Sequence, residues 1–367
     1  MTTDSKKSSP VRAAVQRLTP YVPVESPESL AARLGMPLDM ILKLDSNENP
    51  YGCSVSVQEA LGAFDRFNHY PDAQAASLRE RLAIYAGVKP DTIIIGNGSD
   101  ELIDLLLLSI LDPGDEVIIP EPTFGVYRAR TELFGGTPRI VPRTETFDLD
   151  LPALLDSVTD ATKAMFITSP NNPTGNLATP AEIVSLLETG VLVIVDEAYY
   201  EFCGKTVVPL TQEFDNLVVL RTFSKWAGLA GMRIGYGIFP DHLAAQIWKV
   251  KPPFNVSAAA LLAAEASLDD IEFLHVSINR IRNETRRMGR MLATLDFLQP
   301  YPTVANYILC KVTRGDAHDI HQRLADRGIM VRAYGEGPLR DYLRISTGRP
   351  EDTNRLMTAL QTIGANV

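Results

Sequence analysis

Lys225 and Asp196 are residues whose types and surroundings could perform chemistry on a carbonyl group. Lys225 ends the run TFSK (222–225) and precedes a loop of small residues, GLAGMRIG (228–235). Asp196 directly follows five apolar residues, 191–195, which predict a buried strand. A lysine amine forms an imine with the aldehyde of pyridoxal phosphate, and a carboxylate keeps the pyridine nitrogen of that cofactor protonated. Either residue alone is more typical of an exposed loop or a strand end, so the neighbouring motifs must decide.

The turn GNGSD (96–100) could bind an anion, because it follows an apolar run and opens a predicted helix. Its free backbone N–H groups and the positive end of the helix dipole would both face the ligand. A dinucleotide fingerprint would need a third glycine at position 101, which is Glu101. We expect Asp100 and Glu101 to point away from a bound phosphate, since their charges would repel it.

The loop SPNNPTG (169–175) follows another apolar run, and its two prolines and glycine predict a rigid turn. This turn could aim the amide of Asn172 at a phenolate oxygen. Tyr199 lies three residues beyond Asp196 and could donate to the same oxygen. Both hydrogen bonds would stabilise the deprotonated ring oxygen of the cofactor and lower the pKa of its imine.

Composition and charge exclude several other functions. The 367 residues suffice for a large and a smaller core, and the net charge of −10 argues against broad binding to nucleic acids or anionic membranes. The polar start shows no signal peptide, and no apolar run is long enough to cross a membrane. The cysteines at 53, 203 and 310 are isolated, which indicates a reduced compartment and no metal spacing. We therefore expect a cytoplasmic protein.

His318 and His321 are spaced i, i+3 on a predicted helix, a spacing that could bind a metal ion. No third ligand is apparent nearby, so we interpret them as part of a solvated helix face and predict no metal site.

Between residues 90 and 240, uniformly apolar runs alternate with amphipathic segments, which is typical of strands covered on both faces by helices. The predicted strands are 92–95, 116–119, 164–167, 191–195 and 217–220, and the predicted helices are 100–111, 123–134, 151–158 and 180–188. We therefore predict an α/β fold whose mostly parallel sheet is sandwiched by helices. In such a sheet, ligands gather at the carboxyl ends of the strands.

The pattern changes after Pro252 and Pro253, where helices and then a smaller α+β domain are predicted. The elements that close the chain are strand 307–312, helix 317–327, strands 329–332 and 342–346, and helix 351–363. Residues 1–45 are interpreted as an arm with a helix at 27–34, and its first ten residues are expected to be disordered. Residues 46–257 would form the large cofactor domain and residues 258–367 the small domain.

Together these motifs resemble the fold-type I aminotransferases that depend on pyridoxal phosphate. Within that superfamily, the chain is most similar to the histidinol-phosphate aminotransferases. The segments that carry the resemblance are 44–52 (LDSNENPYG), 70–72 (YPD), 96–101, 171–175, 196–199 (DEAY), 222–235, 249–256 (KVKPPFNV) and 343–348 (LRISTG). The resemblance extends from about residue 21 to the end of the chain.

The resemblance implies a role for each candidate residue. Lys225 would form the imine, Asp196 would pair with the pyridine nitrogen, and Asn172 and Tyr199 would bind the ring oxygen. The remaining residues are Ser99, Asp100, Ser224 and Arg233 for the cofactor phosphate, Phe124 for stacking on the ring, Tyr70 for the partner subunit's phosphate, and Arg332, Arg344 and Tyr21 for the substrate.

The resemblance further implies a homodimer in which Tyr70 and Tyr21 act across the interface. One departure from the family pattern is that His69 stands where an arginine is usual, and no role is assigned to it. The small-molecule substrates would be histidinol phosphate, glutamate and 2-oxo acids, processed in a ping-pong reaction in histidine biosynthesis.

Several alternatives stay open on sequence alone. An aromatic amino-acid aminotransferase or a threonine-phosphate decarboxylase would use the same cofactor. A nucleotide-binding oxidoreductase would use the turn at 96–99 but would leave Lys225 and Asn172 without a role. A catalytically idle binding or regulatory protein would not need the full set of Lys225, Asp196 and Arg233.

Overall fold

The computed structural model describes residues 10–18, 25–335 and 337–365. Its strands are β1 (Leu42–Leu44), β2 (Ile93–Gly96), β3 (Glu116–Glu121), β4 (Thr137–Pro142), β5 (Thr162–Thr168), β6 (Leu192–Asp196), β7 (Leu217–Thr222), β8 (Gly235–Ile238), β9 (Leu298–Pro300), β10 (Tyr307–Val312), β11 (Ile329–Ala333) and β12 (Tyr342–Ser346). Within these ranges, no helix combines the length and apolar composition that crossing a membrane requires.

Helices cover both sheets. They are α1 (Ala13–Arg17), α2 (Pro27–Leu34), α3 (Val55–Ala63), α4 (Ala76–Ala86), α5 (Gly98–Ile110), α6 (Val126–Phe134), α7 (Leu151–Asp156), α8 (Pro180–Leu187), α9 (Tyr200–Cys203), α10 (Asp241–Val250), α11 (Ala258–Asp269), α12 (Ile271–Leu292), α13 (Ala317–Ala325) and α14 (Pro350–Gly364).

The larger sheet has seven strands in the order β2-β8-β7-β6-β5-β3-β4, and β8 runs antiparallel to both of its neighbours. The pairings from β7 through β4 are all parallel. Side chains alternate between two apolar layers: Ile93 and Ile95 pack on one face and Ile94 on the other. The carboxyl ends of β3, β5, β6 and β7 therefore meet at one edge, as the sequence predicts for a ligand site.

The second sheet has the order β1-β11-β12-β10-β9 and is antiparallel except where β1 pairs with β11. Its core joins residues of α12, α13 and α14 to the strands, including Met288, Ile320 and Leu356, all fully buried. The predicted strand–helix–strand–strand–helix series is confirmed, and β10 and β12 have the predicted bounds.

Local sequence signals set several helix ends. Ser26 caps the first turn of α2, and Gly35 ends that helix in the left-handed conformation at φ 64°. Thr179 and Glu182 form a reciprocal capping box at the start of α8, where Pro180 takes the first helical position.

Several expectations from the sequence were wrong or incomplete. The helix predicted at 123–134 begins at Val126, because the Thr123 hydroxyl is held by Thr168 and Asn171 in the loop after β3. Strands β4 and β8 were not predicted: β4 contains two prolines, which its edge position tolerates, and β8 alternates with glycine. Strand β1, which lies in the predicted arm, joins the second sheet.

The loop that carries Lys225 lies against the chain segment after β1. Gly228 has φ +68°, and a Cβ at this position would lie 2.3 Å from the carbonyl oxygen of Gly52. The side-chain amide of Asn49 donates to the carbonyl of Trp226 at 2.8 Å, and this hydrogen bond joins the same two segments. Glycine at 228 therefore allows two backbone segments to touch where a side chain would separate them.

Gly228→Ala is expected to lower the free energy of unfolding by at least about 2 kcal/mol, since it combines a strained φ with a backbone overlap. Gly62→Ala is the matched control, because Gly62 lies in α3 and a Cβ there meets nothing within 4 Å. Urea unfolding of both variants measures the difference. Equal stability of the two variants would contradict the close approach.

Candidate active site

One cavity of about 1090 Å³ lies at the carboxyl edge of the larger sheet. Its lining combines residues from both sheets and from the segment after β1. Among the residues singled out from the sequence, it contains Ser99, Asp100, Phe124, Asn172, Asp196, Tyr199, Ser224, Lys225, Arg233, Arg332 and Arg344. Motifs far apart in the sequence are thus brought to a single site.

Within the described residues, the amine of Lys225 is held by a backbone carbonyl and has no ion pair with a carboxylate. Its Nζ donates to the backbone carbonyl of Ser46 at 2.9 Å. Burial lowers the pKa of Lys225 to about 8, and the positive charges of Arg344 and Lys43 act in the same direction. The neutral amine, which is the nucleophilic form, is therefore far more accessible near neutral pH than in an exposed lysine.

Asp196 ends β6 and is 4% exposed. Its Oδ2 accepts from the hydroxyl of Tyr127 at 2.7 Å, and its Oδ1 accepts from the backbone N–H of Ala198 at 3.0 Å. Burial raises the pKa of Asp196 to about 6, partly offset by these two hydrogen bonds. No cation is paired with Asp196 in the described ranges, so a protonated ring nitrogen would supply its missing positive partner.

Asn172 and Tyr199 each keep a donor for the cavity. The carbonyl oxygen of Asn172 accepts from Arg344 Nη1 at 2.7 Å, which leaves its amide nitrogen as the group that can donate. The hydroxyl oxygen of Tyr199 accepts from Asn47 Nδ2 at 2.8 Å, so its proton is directed elsewhere. Burial raises the pKa of Tyr199 to about 12, which keeps it protonated as a donor.

The start of α5 forms an anion cradle. The first N–H groups of a helix have no intrahelical acceptor, and Ser99 and Asp100 lie in that turn. The Arg233 guanidinium covers the turn: a Cβ on Gly98 would lie 2.8 Å from its Nη2. Ser224 and Arg233 line the same end of the cavity and can donate to a phosphate.

The two acids beside the cradle behave differently from each other. Glu101 turns away, as expected, since its Oε2 accepts from the backbone N–H of Asn97 at 2.6 Å and from the side-chain amide of Asn255. Asp100 lines the cavity, and the orientation of its carboxylate relative to a bound phosphate stays a prediction. Its Oδ2 accepts from Arg233 Nη2 at 3.0 Å, so the arginine offsets the charge of the carboxylate.

Arg332 and Arg344 are direct cross-strand neighbours on β11 and β12. Arg344 is 9% exposed, and its Nε is buried without an acceptor. The side chain of Arg332 has no hydrogen bond or ion pair to any residue in the described ranges. Tyr334 also lines the cavity, and within the same ranges its hydroxyl is buried without a partner. Two neighbouring arginines and an unpaired hydroxyl could together hold an anion.

The remaining candidates are placed as follows. Phe124 lines the cavity, with its ring edge-to-face against Tyr127 at a centroid distance of 5.6 Å. Tyr70 lies outside the cavity lining, is 81% exposed and stacks on Phe254. Tyr21 lies outside the described residues. The rings of His318 and His321 are 5.9 Å apart on α13. In the described part of the chain, no three potential metal ligands cluster.

Tyr127, Asn47 and Tyr334 belong to the site but were not predicted from the sequence. Tyr127 lies in the first turn of α6, and no sequence pattern shows that its hydroxyl reaches Asp196. Asn47 lies inside a motif that carried the resemblance, yet its contact with Tyr199 joins residues 152 positions apart. Tyr334 directly follows β11 and lies two residues beyond Arg332, an extended spacing that favours one face for both side chains.

A lysine amine, a buried carboxylate and two anion sites in one cavity are the equipment of an enzyme that acts on amines and carbonyl compounds. The chain belongs to the family of class I and II aminotransferases, whose sequence profile matches residues 39–360.

Relatives and solved structures of this family are similar over nearly the whole chain. The histidinol-phosphate aminotransferase of Dehalococcoides mccartyi is 42% identical over 99% of this chain and 100% of its own. The chloroplastic histidinol-phosphate aminotransferase of Nicotiana tabacum is 42% identical over 96% of this chain and 86% of its own. The structure of the histidinol-phosphate aminotransferase from Sinorhizobium meliloti in complex with pyridoxal-5'-phosphate has a TM-score of 0.88 at 28% identity, covering 98% of this chain and 99% of that one.

Asp196→Asn is expected to change how the stability of the cofactor-free protein depends on pH. Because the folded pKa of Asp196 is raised to about 6, its contribution to stability is full below its unfolded pKa and is lost as pH rises through 6. Asparagine does not titrate. Between pH 4 and 7, wild type should therefore lose about 2 kcal/mol relative to the variant, at about 1.4 kcal/mol per pKa unit.

Urea unfolding at several pH values measures this difference. The exposed Asp160→Asn serves as the control and should follow wild type throughout. Parallel curves for wild type and Asp196→Asn would show that Asp196 keeps an ordinary pKa.

Proposed function

We propose that the protein is a pyridoxal-phosphate-dependent aminotransferase that transfers the amino group between histidinol phosphate and glutamate in histidine biosynthesis. The observation that carries the proposal is the joint placement of Lys225, Asp196 and the Arg332–Arg344 pair around one cavity. The full-length similarity to histidinol-phosphate aminotransferases supports the same activity.

The residues present fit pyridoxal phosphate. The turn of α5, Ser224 and Arg233 offer donors for a phosphate, and Asp196 offers a carboxylate with no cation partner in the described ranges. Asn172 and Tyr199 offer donors for the ring oxygen. When bound, this cofactor supplies an electron sink for the bonds of an amine's α-carbon.

Lys225 serves as both nucleophile and proton carrier in this proposal. Its lowered pKa would provide the neutral amine that an imine bond to the cofactor's aldehyde requires. With a substrate in the cavity, the free Lys225 amine would be placed to take a proton from the substrate's α-carbon and to give that proton back later in the reaction. The hydrogen bond to the Ser46 carbonyl is the contact that Lys225 leaves when it moves.

Arg332, Arg344 and Tyr334 would hold the anionic end of the substrate. Two neighbouring guanidinium groups repel each other unless an anion lies between them, and a phosphate dianion offers acceptors to both. The distal carboxylate of glutamate could use the same donors in the second half of a ping-pong reaction. This explains how one site accepts two substrates of different shape.

We further propose that two copies of the chain assemble and that Tyr70 acts in the partner's site. The exposed rings of Phe67 and Tyr70, 75% and 81% exposed, and the stacking of Tyr70 on Phe254 support an apolar contact surface beside the loop at 64–70. Tyr21 is proposed to contribute from the arm. The cysteines form no disulfide, which supports a reduced, cytoplasmic setting.

The direct test of the proposal follows the visible spectrum of the reconstituted protein during successive additions of histidinol phosphate, glutamate, phenylalanine and threonine phosphate. A spectral change reversed by 2-oxoglutarate is expected with histidinol phosphate and with glutamate. Release of carbon dioxide from threonine phosphate would instead indicate a decarboxylase.

Lys225→Ala is expected to fold and to lose nearly all transamination, because the bond to the cofactor is covalent. Borohydride reduction of the wild-type protein loaded with pyridoxal phosphate, followed by peptide mapping, identifies the attached lysine. Lys251→Ala is the matched control, since Lys251 is also partly buried but lies outside the cavity lining. Label on any lysine other than Lys225 would overturn the assignment.

Arg332→Ala is expected to lower kcat/KM for histidinol phosphate by about tenfold to a hundredfold, since charge-assisted hydrogen bonds contribute about 1.5–3 kcal/mol. Phenylalanine, which lacks the phosphate, should be affected much less. The exposed Arg340→Ala is the control for loss of a positive charge near the site. Steady-state kinetics with both amines decides the matter: equal losses for both would favour an aromatic amino-acid aminotransferase.

A further inference from the structure

Behind Asp196, a chain of side chains runs from the carboxylate to the loop that carries Asn172. Tyr127 Oη lies 2.7 Å from Asp196 Oδ2 and 2.9 Å from Thr168 Oγ1. Thr168 Oγ1 lies 3.1 Å from Thr123 Oγ1, and Thr123 Oγ1 lies 2.7 Å from Asn171 Oδ1. Tyr127, Thr168 and Asn171 are at most 3% exposed, which shields the contacts of Tyr127 with Asp196 and with Thr168 from bulk water.

The far end of this chain must accept a hydrogen bond. The amide nitrogen of Asn171 donates to the carbonyl of Pro122 at 3.0 Å and to Thr174 Oγ1 at 2.7 Å. The carbonyl oxygen of Asn171 is therefore the atom that faces Thr123, and it has no proton to offer. Each contact along the chain then needs its hydrogen from the hydroxyls or from Asp196.

The number of hydrogen atoms available for these contacts depends on the protonation state of Asp196. The chain has four oxygen–oxygen contacts, whereas the hydroxyls of Tyr127, Thr168 and Thr123 supply three hydrogens. If Asp196 is ionised, Tyr127 donates to it and one of the other contacts has no hydrogen. If Asp196 is protonated, every oxygen donates to the next one towards Asn171, and all four contacts are hydrogen bonds.

From this count we propose that Thr168 and Thr123 are positioning residues that act through Tyr127 and bias Asp196 towards its protonated form in the cofactor-free protein. The inference rests on the proposed function for its purpose: the carboxyl that meets a pyridine nitrogen would already hold the proton that this nitrogen takes. In that transfer, one O–H bond of Asp196 breaks and one N–H bond forms, while the Tyr127 hydroxyl turns to the new carboxylate.

Burial and the neighbouring acids act in the same direction as the chain, whereas the hydrogen bonds from Tyr127 and from the backbone N–H of Ala198 oppose it. The titratable groups that interact with Asp196 are Asp100 of α5, Glu197 next to it on the chain, Tyr127 of α6, Tyr199, and Tyr307 of β10. All are acids or phenols, so they provide no positive charge that would favour the carboxylate. Burial is the largest cause of the raised pKa of Asp196.

Loss of a threonine hydroxyl and loss of the Tyr127 hydroxyl should shift the pKa of Asp196 in opposite directions. In Thr168→Val and Thr123→Val, the ionised carboxylate keeps its hydrogen bond from Tyr127 while the protonated state leaves a hydroxyl hydrogen without an acceptor. The pKa of Asp196 should therefore fall by about 0.5–1 pH unit. In Tyr127→Phe the carboxylate loses its donor, so the pKa should rise.

The experiment is a pH titration of the cofactor-free protein labelled with ¹³C at the aspartate carboxyls, observed by NMR. The Asp196 signal is the one missing from Asp196→Asn. Thr162→Val is the matched control, since Thr162 is a buried threonine of the same strand whose hydroxyl contacts Thr159 instead. Thr123 is half-buried, so its variant provides a second measurement if Thr168→Val folds poorly.

The expected result is a lower midpoint in both threonine variants, a higher midpoint in Tyr127→Phe and no change in Thr162→Val. Midpoints in the threonine variants that equal wild type, or that rise, would overturn the proposal. Binding of pyridoxal phosphate to the same samples is measured separately by absorbance. Wild-type protein that fails to bind the cofactor would contradict the proposed function but would leave the titration result standing.

Discussion

The site depends on the contacts of Arg344, because this residue links the two sheets and places a positive charge between them. From β12 it donates to the side chain of Asn172, in the loop after β5, and to the backbone carbonyl of Asp45 after β1. Its guanidinium lies over the ring of Tyr307 at 5.5 Å. These contacts hold the walls of the cavity at a fixed separation and orient the Asn172 amide.

The charge of Arg344 acts on the neighbouring titratable groups as well. It contributes to the lowered pKa of Lys225, and it opposes the rise that burial causes in the pKa of Tyr199. The positive charge of Arg344 thus favours the neutral form of Lys225 and limits the rise in the pKa of Tyr199. The net charge of the protein is −10, whereas the cavity lining contains about as many basic as acidic side chains.

The sequence predicts the parts of the site that are written into local patterns. Lys225, Asp196 and Asn172 each stand in a motif or at the end of an apolar run, and parallel strands bring such ends to one edge. Strands with regular apolar patterns were likewise predictable. The contact of Tyr127 with Asp196 depends instead on how α6 packs against the larger sheet, which no spacing in the sequence reveals.

Other features depended on tertiary contacts in the same way. The pairing of Asp100 with Arg233 crosses 133 positions of the chain, and no local pattern predicts it. Strand β8 contains two glycines in four residues, which gives no strand signal, and it forms because β2 and β7 leave a place between them. In both cases the partner that determines the conformation is remote in sequence.

The segment between β1 and α3 has a mechanical consequence. It begins in the second sheet, provides the Ser46 carbonyl to Lys225 and the Asn47 amide to Tyr199, and then touches the lysine loop through Asn49 and Gly52. A rotation of one sheet relative to the other would displace this segment. Such a rotation would move the Ser46 carbonyl that holds Lys225 and the Asn47 amide that orients Tyr199 at the same time. The relative position of the two sheets therefore affects the hydrogen bonds of both residues together.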